Sequence, residues 1–121
     1  MIYFIVGFIV LLVGALYLFP LIEVVGDSMY PTYKNGEIVV GRRLFRKSSL
    51  KKGDVVVYYN PTDQSKRRVI KRIDSVTKDK GNILFYCLGD NAEESYDSRY
   101  YGFFSSNLVI CKIVNQRGKV E

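Results

Sequence analysis

The first 22 residues, MIYFIVGFIVLLVGALYLFPLI, contain no Asp, Glu, Lys or Arg. As a helix this stretch would be roughly 33 Å long, about the thickness of a bilayer's hydrocarbon core. The expectation is a single transmembrane anchor over residues 1–22, ended near Pro20 and Glu23, followed by one compact domain over residues 23–121. A cleaved signal peptide would carry a basic leading segment, a shorter apolar core and a small-X-small site, and none of the three is clear here.

All 18 Lys and Arg and all 12 Asp and Glu therefore belong to the domain, which carries the net charge of +6. An anionic partner fits that balance. Nucleic acid does not, because the basic residues (Arg42, Arg43, Arg46, Lys47, Lys51, Lys52) are scattered and match no helix-turn-helix or zinc-finger spacing. Membrane lipids fit better, since a domain tethered to an anchor sits within about a Debye length of the headgroups. A solvated basic face without a specific partner stays open as the alternative. The side of the membrane is not decided by charge, because Lys34 is the only positive residue close behind the anchor.

The chain contains no histidine, which removes every Ser-His, Cys-His and His-metal mechanism. Two cysteines, Cys87 and Cys111, make neither a zinc site nor a disulfide-dense scaffold. No metal and no cofactor are expected, and the ordinary general bases left for a nucleophile are lysine and the carboxylates.

Short runs rich in Val, Ile and Tyr alternate with Gly, Asn, Asp and Lys clusters after the anchor, the pattern of strands and turns. Strands are expected over residues 37–45, 55–59, 68–76, 83–88 and 108–114, so the fold class is mainly β. The polar stretch 115–121 is expected to fray.

Two places can carry chemistry. In Arg68-Val69-Ile70-Lys71-Arg72-Ile73, strand alternation puts Val69, Lys71 and Ile73 on one face. If that face is the core, desolvation lowers the lysine pKa and makes it a base near neutral pH. If Ile70 sets the register instead, Lys71 snorkels at a sheet edge. Parity leaves both readings open. The second place is Val24-Val25-Gly26-Asp27-Ser28-Met29-Tyr30-Pro31-Thr32, where Gly26 allows close backbone approach and Pro31 stiffens the loop after Ser28. A serine in such a loop is by itself more often a turn residue than a nucleophile.

Ser28-Met29-Tyr30-Pro31-Thr32 resembles the Ser-Met-X-Pro-Thr box of type I signal peptidases. Three further boxes follow in that family's order. Lys52-Gly53-Asp54-Val55-Val56-Val57-Tyr58 resembles the Gly-Asp-aliphatic segment, and Arg68-Val69-Ile70-Lys71-Arg72 resembles the Lys-Arg box. Gly89-Asp90-Asn91 with Ser95-Tyr96-Asp97-Ser98-Arg99 resembles the Gly-Asp-Asn and Ser-X-Asp-Ser-Arg box.

The resemblance implies a small β-rich Ser-Lys peptidase domain behind a single transmembrane helix, with Ser28 as nucleophile and Lys71 as general base. It implies that Ser95 hydrogen-bonds the lysine amine, that Asp97 and Arg99 form an internal ion pair beneath the site, and that Asp90 and Asn91 fix the turn entering that loop. Precursor proteins with small-X-small sites would be the substrates, and the domain would be extracytoplasmic. Gly26 stands where some members carry an oxyanion-hole hydroxyl, so the oxyanion would rely on backbone N–H, chiefly that of Ser28. The Gly-Leu-Pro-Gly-Asp segment and second domain of many members are missing after Lys71-Arg72, which implies a reduced cleft. Asp27 puts a carboxylate beside the nucleophile, able to raise the lysine pKa if it points inward. A self-cleaving or dedicated Ser-Lys peptidase of the same superfamily is one alternative, and a membrane-tethered binding module without catalysis is another. Cys87 and Cys111 flank the 95–102 loop and either bridge it or stay as two buried thiols.

Overall fold

The computed structural model describes residues 1–62, 64–114 and 116–119. Its elements are helix α1 (Ile2–Leu18), strands β1 (Leu21–Glu23), β2 (Ile38–Arg42), β3 (Val55–Tyr59), β4 (Arg68–Asp79) and β5 (Asn82–Leu88), the one-turn helix α2 (Ser98–Tyr101), and strands β6 (Phe104–Ser105) and β7 (Val109–Ile113). The strands form one sheet in the order β1-β2-β7-β3-β4-β5-β6, with every neighbouring pair antiparallel.

The run Val-Val-Val-Tyr-Tyr explains the centre of that order. A strand without a polar face must be covered on both sides, and in β3 Val55, Val56, Val57 and Tyr58 are all buried. Successive side chains go to opposite faces. Val55 and Val57 join a cluster with Val24, Met29, Tyr33, Ile70 and Ile113, while Val56 and Tyr58 join another with Ile73, Phe85, Cys87 and Phe104. The expected strands are found within a few residues of their bounds, with the first shortened to β2. The pairings of β1 and β6, at the two sheet edges, carried too short a pattern to read.

The anchor expected over residues 1–22 is corrected. Pro20 disfavours helical geometry at Phe19, α1 stops at Leu18, and Leu21–Glu23 pairs with β2 instead. The helix has 17 residues, about 25 Å at 1.5 Å per residue. Among the described residues no helix is long and apolar enough to cross a membrane. Every α1 residue except Gly14 and Leu18 is exposed. Its end is capped from the domain: Arg43 donates from its backbone to the Leu18 carbonyl (2.9 Å) and from Nε to that of Tyr17 (2.8 Å), with its guanidinium 5.0 Å above the Tyr17 ring. A cation there satisfies carbonyls that a helix end leaves open.

The fraying expected after β7 is not met at Gln116 and Arg117, both hydrogen-bonded to the domain; residues 115, 120 and 121 lie outside the described residues. Cys87 and Cys111 are both buried and free, in separate clusters. Labelling of denatured, unreduced protein is expected to find two thiols per chain, and fewer than two would mean that a bridge forms.

Candidate active site

β5 ends at Leu88, opposite Arg72. Residues 68–71 of β4 therefore have β3 on one side and, among the described residues, no strand on the other. The loop that follows β1 settles at this gap. Asn91 N donates to the Ser28 carbonyl (2.8 Å), Asn91 Nδ2 to the Asp27 carbonyl (3.0 Å), and Asp90 N to Met29 Sδ (3.5 Å). Gly89 permits the approach, because a Cβ there would stand 2.2 Å from Ser95 Oγ and 2.7 Å from the Ser28 carbonyl oxygen. On the other flank Gly26, at φ +89°, donates to Asn35 Oδ1. Only glycine holds such a φ without strain.

These contacts bring the Ser28 hydroxyl against Lys71, whose Nζ lies 2.8 Å from Oγ in a hydrogen bond. Lys71 is only 5% exposed. Sheet parity could not have settled its environment, because Ile70, Lys71 and Ile73 are all buried in a sheet covered on both faces. Burial pushes the amine down to about 8, while the negative charge of Asp97 pulls the other way. Asp27, whose side chain was one expected source of that pull, is exposed.

Asp97 is fully buried and accepts from Gly89 N (2.9 Å), Ser95 Oγ (2.7 Å) and Arg99, through its backbone N, Nε and Nη2 (3.1, 2.9 and 2.7 Å). Burial alone would raise its carboxyl. The Arg99 guanidinium, the Gly89 amide and the Ser95 hydroxyl outweigh that and hold it at about 2. The expected Asp97–Arg99 ion pair is therefore present. The expected bond from Ser95 to the lysine is not. Ser95 Oγ donates to Asp97, a stronger, charged acceptor, and among the described residues it makes no hydrogen bond to Lys71. Ser95 thus touches the amine's surroundings through the carboxylate.

Sequence reasoning missed the role of Arg72. Its Nε and Nη2 grip both oxygens of Asp90 (2.9 and 2.8 Å), and Nη1 donates to the Gly53 carbonyl (2.9 Å). The residue after the lysine thus holds the turn that holds the serine, a pairing across 18 positions with no local signal. Among the described residues there is no cluster of His, Cys, Asp and Glu able to bind a metal.

Ser28 and Lys71 open into a cleft of about 620 Å³, walled by β1 on one side and residues 67–71 on the other, with Val57, Ile110 and Cys111 at its floor and Arg43 and Arg68 among its polar lining. Both β1 and the start of β4 present to it edges that pair with no strand among the described residues. Free strand edges accept an extended peptide by backbone hydrogen bonding.

The family model described as signal peptidase, peptidase S26, matches residues 1–80 of the chain. Mitochondrial inner membrane protease subunit 1 of Mus musculus is 31% identical over 103 residues, covering 69% of this chain and 60% of the mouse protein. The Schizosaccharomyces pombe protein of the same name is 34% identical over 115 residues, covering 81% of this chain and 73% of its own. Signal peptidase I W of Bacillus subtilis is 26% identical over 98 residues, covering 74% and 50%. The chain spans about three fifths of the mouse relative's length.

Two outcomes follow from the geometry. Below pH 8 the folded chain keeps an ammonium where it is poorly solvated, at a cost on the order of 3 kcal/mol. Unfolded chains hold that proton up to about 10.5, so wild-type stability should rise between pH 8 and 10.5. Lys71→Met should accordingly melt higher at pH 7, by on the order of 2 kcal/mol after loss of the Ser28 hydrogen bond, and the gain should shrink across that window. Gly89→Ala should lose about 1–3 kcal/mol in urea unfolding, because the added Cβ would force apart the buried Ser95 and the Ser28 backbone.

Proposed function

The chain belongs to the signal peptidase S26 family, and from that premise we propose that it is a serine endopeptidase of the Ser-Lys type, with Ser28 as nucleophile and Lys71 as general base. The observation that carries the reading is the 2.8 Å contact between Lys71 Nζ and Ser28 Oγ at a cleft bordered by two strand edges that have no partner strand among the described residues. As a neutral amine, Lys71 accepts the proton that Ser28 loses while its Oγ attacks a peptide carbonyl. The resulting ammonium returns the proton to the leaving amine. A water then attacks the acyl-enzyme while Lys71 takes its proton, and the ammonium passes that proton to Ser28 Oγ as the ester bond breaks, which releases the carboxyl product and regenerates both groups. The developing oxyanion is met by the Ser28 N–H, which carries no hydrogen bond among the described residues.

Asp97, Arg99 and Ser95 are assigned supporting roles. A carboxylate near the amine would restore its charge, but this one is already shared among three donors, which damps its pull. Gly26 is assigned the backbone conformation of the loop and no chemistry.

For substrates we propose precursor proteins with small-X-small sites, bound as extended segments between β1 and β4 and cut on the extracytoplasmic side. Attachment to lipid is assigned to α1, whose apolar surface faces outward all round, since a helix apolar on every side needs burial in protein or lipid. Incubation of detergent-solubilised protein with such precursors, with mapping of new N-termini, tests the substrate class. Cuts absent, or equally frequent with Ser28→Ala, would sink the reading.

The pH profile tests the mechanism. With the Lys71 pKa at about 8, kcat/KM should rise with pH through that value and fall about tenfold per unit below it. Without histidine no unperturbed side chain masks this limb. Lys71→Arg should be inactive at every pH, since a guanidinium does not deprotonate in a protein. Turnover by folded Lys71→Arg at neutral pH would reassign the base.

A further inference from the structure

The segment after β7 is tied to both halves of the site by one residue, Arg117. Its backbone N donates to Tyr33 Oη (3.0 Å), its Nη1 donates to the Thr32 carbonyl (2.9 Å), its guanidinium lies 5.0 Å above the Tyr33 ring, and its Nη2 pairs with the Glu37 carboxylate. These contacts fall on the turn that begins at the nucleophile. Tyr33 is completely buried and its N–H returns to the Met29 carbonyl (2.9 Å), one residue past Ser28. Glu37 closes the same loop from its far end, its carbonyl accepting from Val24 N (2.8 Å).

The carbonyl of Arg117 faces the other way and accepts from Arg72 Nη2 (2.9 Å). Arg72 follows Lys71 in β4 and grips Asp90, beside the Asn91 amide that holds the Ser28 carbonyl. Gln116 adds a bond from Nε2 to the Val55 carbonyl on β3 (3.2 Å). One residue is thus bonded to the loop of the serine and to the strand of the lysine. It does not line the cleft, so it has no route to substrate except through those residues.

We propose that Arg117 is a positioning residue, a latch that presses the turn after Ser28 against the strand carrying Lys71 and so sets their alignment. The inference rests on the Ser-Lys reading for its kinetic consequence, though not for its structural one. Misplacing reacting groups by about 1 Å costs roughly 100-fold in rate. In Arg117→Ala the backbone N–H and carbonyl can still bond Tyr33 and Arg72, so a smaller loss is expected, about tenfold in kcat. KM should stay within about threefold, because no substrate contact is removed.

Two measurements on the full chain decide. Amide hydrogen exchange, with β3 and β4 as internal reference, should quicken at Tyr30, Tyr33 and Asn91 in Arg117→Ala. Unchanged exchange at those amides overturns the latch whatever the activity. In steady-state kinetics a fall in kcat with KM held supports it, with partial recovery in Arg117→Lys, which restores the pair with Glu37. Wild-type kcat, or a rise in KM alone, overturns it. If Arg117→Ala fails to fold, Glu37→Gln takes its place in both measurements, with a loss of about threefold expected and none overturning the proposal. Ser28→Ala run in parallel separates the two failures: cleavage independent of Ser28 sinks the peptidase reading, while the exchange data still judge the latch.

Discussion

Taking the Lys71 amine out of water makes its charged form costly, and most of the surrounding structure serves to keep it both buried and reachable. Val56 lies opposite it on β3, Ile70 and Ile73 flank it on its own strand, and the Asp97 carboxylate acts from nearby. An unscreened carboxylate would cancel the effect of burial by stabilising the ammonium. Asp97 is instead held by Arg99, Ser95 and the Gly89 amide, so its charge is largely answered before it reaches the lysine. The result is an amine at about 8, between a fully solvated lysine and one that never protonates.

Reach is supplied by the sheet's irregularity. Had β5 continued past Leu88, residues 68–71 would be paired on both sides and the Ser28 loop would have nowhere to settle. The chain leaves the sheet at Gly89, the position where a side chain would collide with both Ser95 and the Ser28 backbone. Asp90 and Asn91 then turn back, one to Arg72 and the other to Ser28. Stability and alignment are therefore the same set of bonds, and the groups that fasten the fold here are those that bring serine to lysine.

The N-terminal helix obeys a different constraint. Nothing in it is buried by the domain, yet its end is capped by Arg43, a residue that also lines the cleft. The apolar segment and the cleft are thus adjacent through β1, which follows the helix and forms one cleft wall.

Much of this was legible in the linear sequence. The Val-, Ile- and Tyr-rich runs set between Gly, Asn, Asp and Lys clusters identified a β domain, the absence of histidine reduced the possible bases to lysine or carboxylates, and four boxes in order singled out Ser28, Lys71, Ser95, Asp97 and Arg99. What remained undecided depended on contacts between distant segments. Alternation could not tell whether Lys71 was buried, because burial of both faces depends on loops from elsewhere in the chain. Apolar composition overstated the helix, since the pairing of Leu21–Glu23 with β2 competes for the same residues. Ser95 was given to the lysine by the family resemblance, whereas in three dimensions its hydroxyl donates to the charged Asp97. Arg72 with Asp90, and Arg117 with Thr32, Tyr33 and Glu37, were invisible for the same reason. A side chain's identity is local information, but its partner is chosen by the path of the backbone, and only the tertiary structure contains that path.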